Sequence, residues 1–143
     1  MGRRRTYIDA NVLIAAWNGD TESRSWARAA LDDPERVLVV SDFVRLEVLP
    51  KPTFYQRRAE VTFMETIIAA AEHAPLAAKT LDRAIAMAGE DDLSPMDALH
   101  LAIAADSGVD EVLTFERPDK PMCRQNAVRV VSLRALRDAF GSD

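Results

Sequence analysis

Val37-Leu38-Val39-Val40 reads as a strand buried on both faces. Four consecutive apolar residues, three of them β-branched, leave no polar face for water. Such runs mark parallel sheets covered by helices on either side. Upstream, Asp33-Pro34 closes a helix predicted over residues 21–31 and capped by Thr21, itself separated by Asn18-Gly19-Asp20 from a helix over residues 10–17. That helix follows a first strand at residues 6–8. Downstream, Ser41 caps a short helix that stops at Pro50-Lys51-Pro52.

The rest of the chain continues the alternation. One helical stretch covers residues 55–74 and stops at Pro75. Another covers residues 76–88, with Gly89 as its terminator. Ser94-Pro95 opens a helix through Ala105 that Gly108 ends, and residues 111–115 form a third strand. Residues 128–132 make a fourth, before a last helix at 133–140. Strands alternating with helices predict an α/β fold, a central parallel sheet between helical layers, in one domain spanning residues 1–143.

The composition agrees. A chain of 143 residues with 48% hydrophobic and 29% charged side chains is globular and long enough to bury a core. No apolar run is long enough to cross a membrane. The single cysteine, Cys123, excludes an intramolecular disulfide and a zinc framework, so a reducing cytoplasm is the expected compartment. Met1-Gly2-Arg3-Arg4-Arg5-Thr6 has the charge of a targeting segment, but no apolar stretch follows it. A net charge of −5, from 18 basic and 23 acidic residues, argues against a broadly basic surface that clamps nucleic acid. It leaves room for a nucleic-acid substrate held through metal ions and a few arginines.

Four carboxylates stand beside apolar segments: Asp9 after the first strand, Glu47 in the helix after the second, Asp97 at a helix start and Glu116 after the third strand. In parallel sheets ligands bind beyond the carboxyl ends of the strands. Acids gathered there repel in a low dielectric, and a hard divalent cation with its preference for oxygen is the usual neutraliser. Each acid also has a plainer reading. Asp9 fits a helix cap, and Asp97, at N3 after Ser94-Pro95, fits a capping box. Glu47 fits the solvated stripe of a helix, and Glu116 an ordinary loop acid with Asp119 as its rival. Asn11 lies two residues beyond Asp9, well placed to orient a ligand or water. His100, one turn after Asp97, reads as a satisfied core histidine or a partner of that carboxylate. His73 reads as a helix-end residue, and Glu90-Asp91-Asp92 as a solvated loop. There is no G-x-S-x-G elbow or Walker-type glycine loop, and Cys123 has no histidine near it in sequence.

Taken in order, four segments resemble the PIN-domain nucleases, and among them the VapC-type toxins of toxin–antitoxin pairs. Tyr7-Ile8-Asp9-Ala10-Asn11-Val12-Leu13-Ile14 is similar to that family's opening D-x-N motif. Ser41-Asp42-Phe43-Val44-Arg45-Leu46-Glu47-Val48-Leu49 resembles the segment bearing its second acid. Asp97-Ala98-Leu99-His100-Leu101-Ala102 resembles its D-x-x-H-x-A helix, and Val112-Leu113-Thr114-Phe115-Glu116 its strand ending in T-x-acid. The last position departs from the pattern, since the family usually has Asp there.

The resemblance implies a PIN-like three-layer α/β/α sandwich with a parallel sheet of four to five strands. It implies metal-dependent hydrolysis of RNA phosphodiesters with Mg²⁺ or Mn²⁺. Asp9 and Asp97 then anchor the metal, Glu47 and Glu116 ligate directly or through water, and Asn11 and Thr114 orient water or phosphate. Arg45, Lys51, Arg117 and Lys120 are candidates for phosphate contacts. A homodimer and a cognate antitoxin are the implied partners, with the apolar segment from Phe43 to Phe63 as a surface for them. Two other readings stand beside this one: a non-catalytic PIN-like binding module, and another divalent-metal phosphohydrolase. A receiver-like domain is disfavoured because no late lysine stands in register.

Overall fold

A computed structural model describes residues 2–141; Met1, where the targeting-like segment begins, and the last two residues lie outside them. Five parallel strands form one sheet: β1 (Arg4–Ile8), β2 (Arg36–Ser41), β3 (Glu72–Ala74), β4 (Glu111–Thr114) and β5 (Val130–Ser132), in the order β3-β2-β1-β4-β5. Val39 and Val40 are both fully buried, so β2 is covered on its two faces as its composition requires.

Helices α1 (Ala10–Asn18), α2 (Thr21–Leu31), α5 (Arg58–Ala70) and α9 (Leu133–Phe140) pack with one another on one side of the sheet. On the other, α6 (Ala78–Asp91) pairs with α7 (Pro95–Ser107), which lies on β3 and β4. The result is a three-layer α/β/α sandwich. The short helices α3 (Asp42–Val48), α4 (Pro50–Phe54) and α8 (Pro121–Arg124) complete the described elements. The central strands contribute Tyr7, Ile8, Val39, Val40, Val112 and Leu113 to the core, all fully buried. Among the described residues no helix is long and apolar enough to cross a membrane.

Several expectations are corrected. The helix capped by Ser41 does end before Pro50, at Val48, but a further short helix follows that was not expected: Pro50 occupies the first turn of α4, where the missing N–H has no partner to lose. The helix expected over residues 55–74 ends at Ala70, and Glu72–Ala74 pairs with β2 through Val39↔Glu72 and Ser41↔Ala74. His73 therefore lies on an edge strand, its Nε2 3.2 Å from the Ile68 carbonyl oxygen. Gly89 stays inside α6, because Met87 and Leu93 carry the apolar face past it. Glu90 and Asp91 form the last turn of α6, and Asp92 caps it in the left-handed region at φ +53. Asp20, not Thr21, caps α2 by accepting from the Ser23 N–H. As expected, Gly108 ends α7 with φ +65.

Candidate active site

Parallel strands deliver their carboxyl ends to one edge, and there β1, β2 and β4 finish in Ile8-Asp9, Ser41 and Thr114. Asp9 is buried, its N–H bonded to the Leu113 carbonyl across the β1–β4 seam at 3.0 Å. Its side chain makes no cap bond to α1, so the helix-cap reading fails. Instead Asp9 Oδ2 accepts from the Thr114 hydroxyl at 2.8 Å. Thr114 Oγ1 accepts in turn from Asn11 Nδ2 at 3.2 Å and from the Glu116 N–H at 3.1 Å, while Asn11 Oδ1 accepts from the Phe115 N–H at 2.9 Å. Asn11 and Thr114 thus tie Asp9 to the turn that carries Glu116.

Burial raises the Asp9 carboxyl above its usual range. The Thr114 bond opposes that rise, whereas the charges of Asp97 and Glu47 add to it. Asp97 is half-buried at the third position of α7, where its N–H donates to Ser94 Oγ at 3.2 Å. It is raised too, first by burial and then by Glu116, against a bond from Ser94 and the charge of Lys120. The capping role and a site role coexist in Asp97.

Glu47 is not on a solvated stripe. Its half-buried carboxylate is bonded by His100 Nε2, whose Nδ1 lies 2.7 Å from the Tyr7 hydroxyl. His100 therefore partners Glu47 and not Asp97. Glu116 is half-buried, with Lys120 Nζ 3.5 Å away. Asp119 is an exposed acid paired with Arg117 at 3.5 Å, so Glu116 is the loop acid that faces Asp97.

Three contributors were missed in the sequence. Tyr7 and Ser41, read only as strand and cap, form the far side of the His100 network. Helix α8 also borders the site, with Met122 Sδ 3.9 Å from Thr114 Oγ1. On that helix burial, then the charges of Glu116, Asp97 and Asp9, push the Cys123 thiol up to about 11, which leaves it a poor nucleophile. A buried tyrosine in a strand, obliged to find a hydroxyl partner, was the one available signal.

The donor set is all oxygen, and the charge of Asp97 raises the proton affinity of Asp9 as that of Glu116 raises the proton affinity of Asp97. That is the chemistry a hard divalent cation relieves. Among the described residues no three His, Cys, Asp or Glu side chains are already drawn together as a metal cage. Asp9 and Asp97 still fit a cation such as Mg²⁺, which keeps most of its water and takes one or two carboxylates.

The family described as PIN domain matches residues 6–118. No curated protein matches the chain. Among solved structures, VapBC2 from Rickettsia felis bound to a DNA fragment of its promoter superposes with a TM-score of 0.68 at 12% identity, over 90% of this chain and 98% of that one. A toxin–antitoxin complex from Klebsiella pneumoniae gives 0.67 at 20% identity, over 90% and 97%. VapC20 of Mycobacterium tuberculosis, a sarcin-ricin loop cleaving toxin, gives 0.56 at 19% identity, over 87% and 98%.

Proposed function

The chain belongs to the PIN domain family, and from that premise we propose that it is a metal-dependent endoribonuclease, the toxin of a toxin–antitoxin pair. The observation that carries this reading is the buried Asp9 carboxylate at the strand ends, raised by burial and by Asp97 and Glu47 beyond it. Acids held against one another at the strand ends favour a hard divalent cation with oxygen ligands.

Asp9 and Asp97 are the residues that would hold Mg²⁺ or Mn²⁺. When bound, the ion lowers the pKa of a water and stabilises charge that develops on the phosphate. Thr114 and Asn11 fix the Asp9 carboxylate and the turn bearing Glu116, and through them the water or phosphate. Glu47 and Glu116 border the pocket, contributing directly or through water. Arg45 and Arg117 are paired with Asp42 and Asp119, and Lys120 with Glu116. Of these four candidates Lys51 alone is exposed and in no ion pair among the described residues, which leaves it free for an RNA phosphate.

The partners belong to the same proposal. Leu46, Phe54 and Tyr55 are exposed on α3 and α4, and Leu81, Ile85 and Met96 on α6 and α7. Apolar surface of this kind suits a second copy of the chain and an antitoxin segment. The likeness in fold to VapBC2 and to the Klebsiella pneumoniae toxin–antitoxin complex supports the antitoxin part of that assignment.

The test is purified, antitoxin-free protein incubated with structured RNA and Mg²⁺ or Mn²⁺. Cleavage should require the ion, and Asp9→Asn and Asp97→Asn should each slow it at least about 100-fold. Absence of ion-dependent cleavage would refute the proposal, and cleavage undiminished by both substitutions would trace to a contaminant.

A further inference from the structure

A line of hydrogen bonds runs through the buried side of the site and ends on Glu47. The Val44 N–H donates to Ser41 Oγ at 3.3 Å, and Ser41 Oγ and the Tyr7 hydroxyl lie 2.7 Å apart. The Tyr7 hydroxyl lies 2.7 Å from His100 Nδ1, and His100 Nε2 meets Glu47 Oε1. Ser41, Tyr7 and His100 are at most 1% exposed. The line starts and ends on α3 and passes through the end of β2, β1 and α7 between.

Its direction follows from counting protons. A carboxylate oxygen only accepts, so Nε2 carries the proton it shares with Glu47. Ser41 Oγ already accepts from Val44, and its own proton has one acceptor, the Tyr7 oxygen. The Tyr7 proton then goes to Nδ1, which accepts. Run the other way, the line would strand the buried Ser41 proton. Phe43 lies against the imidazole with ring centroids 4.7 Å apart, holding its plane.

The consequence is a division of labour at the pocket. His100 Nε2 is 3.9 Å from Asp9 Oδ1, beyond hydrogen-bond reach, and is committed to Glu47. Thr114 holds Asp9 Oδ2 and His100 holds Glu47 Oε1. Each acid thereby has one oxygen fixed and the other without a side-chain donor among the described residues.

We infer that His100 is a positioning residue: kept in its Nε2–H tautomer by the Ser41–Tyr7 relay, it fixes Glu47 with one oxygen presented to the Asp9 pocket. This rests on the assignment of Glu47 to the proposed nuclease site. His100 acts through Glu47 and touches no substrate.

The experiment pairs two substitutions that separate the ring nitrogens. A Gln amide reaches the place of Nε2, whereas an Asn amide reaches only that of Nδ1. His100→Asn should lower kcat about 10- to 100-fold with KM for RNA nearly unchanged, and should weaken Mn²⁺ binding measured calorimetrically without RNA by at least about tenfold. His100→Gln should recover most of both losses. In the wild-type protein a long-range ¹H–¹⁵N spectrum should show His100 protonated at Nε2 and bare at Nδ1, and Tyr7→Phe should mix the two tautomers. A wild-type imidazole protonated at Nδ1 alone overturns the assignment even if no variant folds. So does a folded His100→Asn protein with unaltered Mn²⁺ affinity and kcat, or a Gln variant no better than Asn. If the wild type cuts no RNA, the nuclease reading fails, while the tautomer and Mn²⁺ measurements still decide the role of His100.

Discussion

Asp9 meets two demands that ordinarily exclude each other, since it is a carboxylate for a cation and a residue of the protein interior. Its burial, together with the Asp97 and Glu47 charges, opposes ionisation, and the Thr114 bond offsets them only in part. The metal-free fold is therefore destabilised where it is built to act. Asn at this position keeps an acceptor for the Thr114 hydroxyl and removes the charge. Asp9→Asn should stabilise the metal-free protein at neutral pH by about 0.5–2 kcal/mol, measured by urea unfolding in a chelator. Mn²⁺ should raise the unfolding midpoint of the wild type and leave that of Asp9→Asn in place. A variant that is weaker in chelator, or equally protected by Mn²⁺, would remove Asp9 from the cation site. Asp9 and Asp97 could be picked out from the sequence because each sits at a boundary, a strand end and a helix start. Glu47 could not be judged from its own neighbours, since the His100 bond that turns it inward joins residues 53 apart. Only the family pattern lifted it from the surface. Glu116 and Asp119 are both loop acids, and what separates them is the fold of the turn after β4, held by the Thr114 and Asn11 bonds.

Helix α7 shows how one cap can serve both stability and chemistry. Ser94 accepts from the Asp97 N–H and its bond to the Asp97 side chain holds that carboxyl down against burial and Glu116. Ser94→Ala should cost about 1 kcal/mol of stability. It should also let the Asp97 pKa rise further, so that the acid limb of the cleavage–pH profile moves to higher pH, because the deprotonated carboxylate is the useful form. Ser94→Thr should restore both. A lost kcal/mol with an unmoved acid limb would make Ser94 a cap and nothing more. Elements closed by such local chemistry were legible: α7 between Ser94 and Gly108, α9 behind Ser132, and β2 as an apolar run. Elements fixed by tertiary contact were not. The three residues of β3 are too few to show a period of two, and they are a strand because β2 offers them an open edge. Pro50 marked the end of α3 correctly but hid the start of α4, and Gly89 misled because glycine breaks helices in general, whereas here it lies under a continuing apolar face.

The whole molecule has two chemically different ends. At the carboxyl ends of the strands acids face acids. At the amino ends, Glu111 of β4 accepts from the Thr6 hydroxyl at 2.8 Å and from Arg36 Nε at 3.0 Å, with Arg4 at 3.6 Å and Asp33 closing the group on Arg36 at 3.3 Å. Sequence placed the parallel sheet and the edge where ligands bind, but it held no sign of the order β3-β2-β1-β4-β5 that brings Glu111 beside Thr6 and Arg36. Burial tends to raise the Glu111 carboxyl, yet the Arg36 and Thr6 bonds and the charges of Arg36 and Arg4 prevail and hold it below its usual range. Because its folded value is depressed, Glu111 stabilises the protein above the unfolded value near 4.5, and that contribution is lost as pH falls through the lower folded value. Glu111→Gln leaves two arginines facing a neutral amide. It should lower stability at pH 7 by about 1.5–3 kcal/mol, with the gap from wild type closing as the pH drops below about 4. Since this cluster lies at the other end of the strands from Asp9, cleavage per folded molecule and Mn²⁺ affinity should match the wild type. Urea unfolding across pH, read beside a cleavage assay well below the unfolding midpoint, checks both halves. A stability gap that persists in acid would assign the loss to packing, and a fall in Mn²⁺ affinity would show that the two ends of the sheet are coupled.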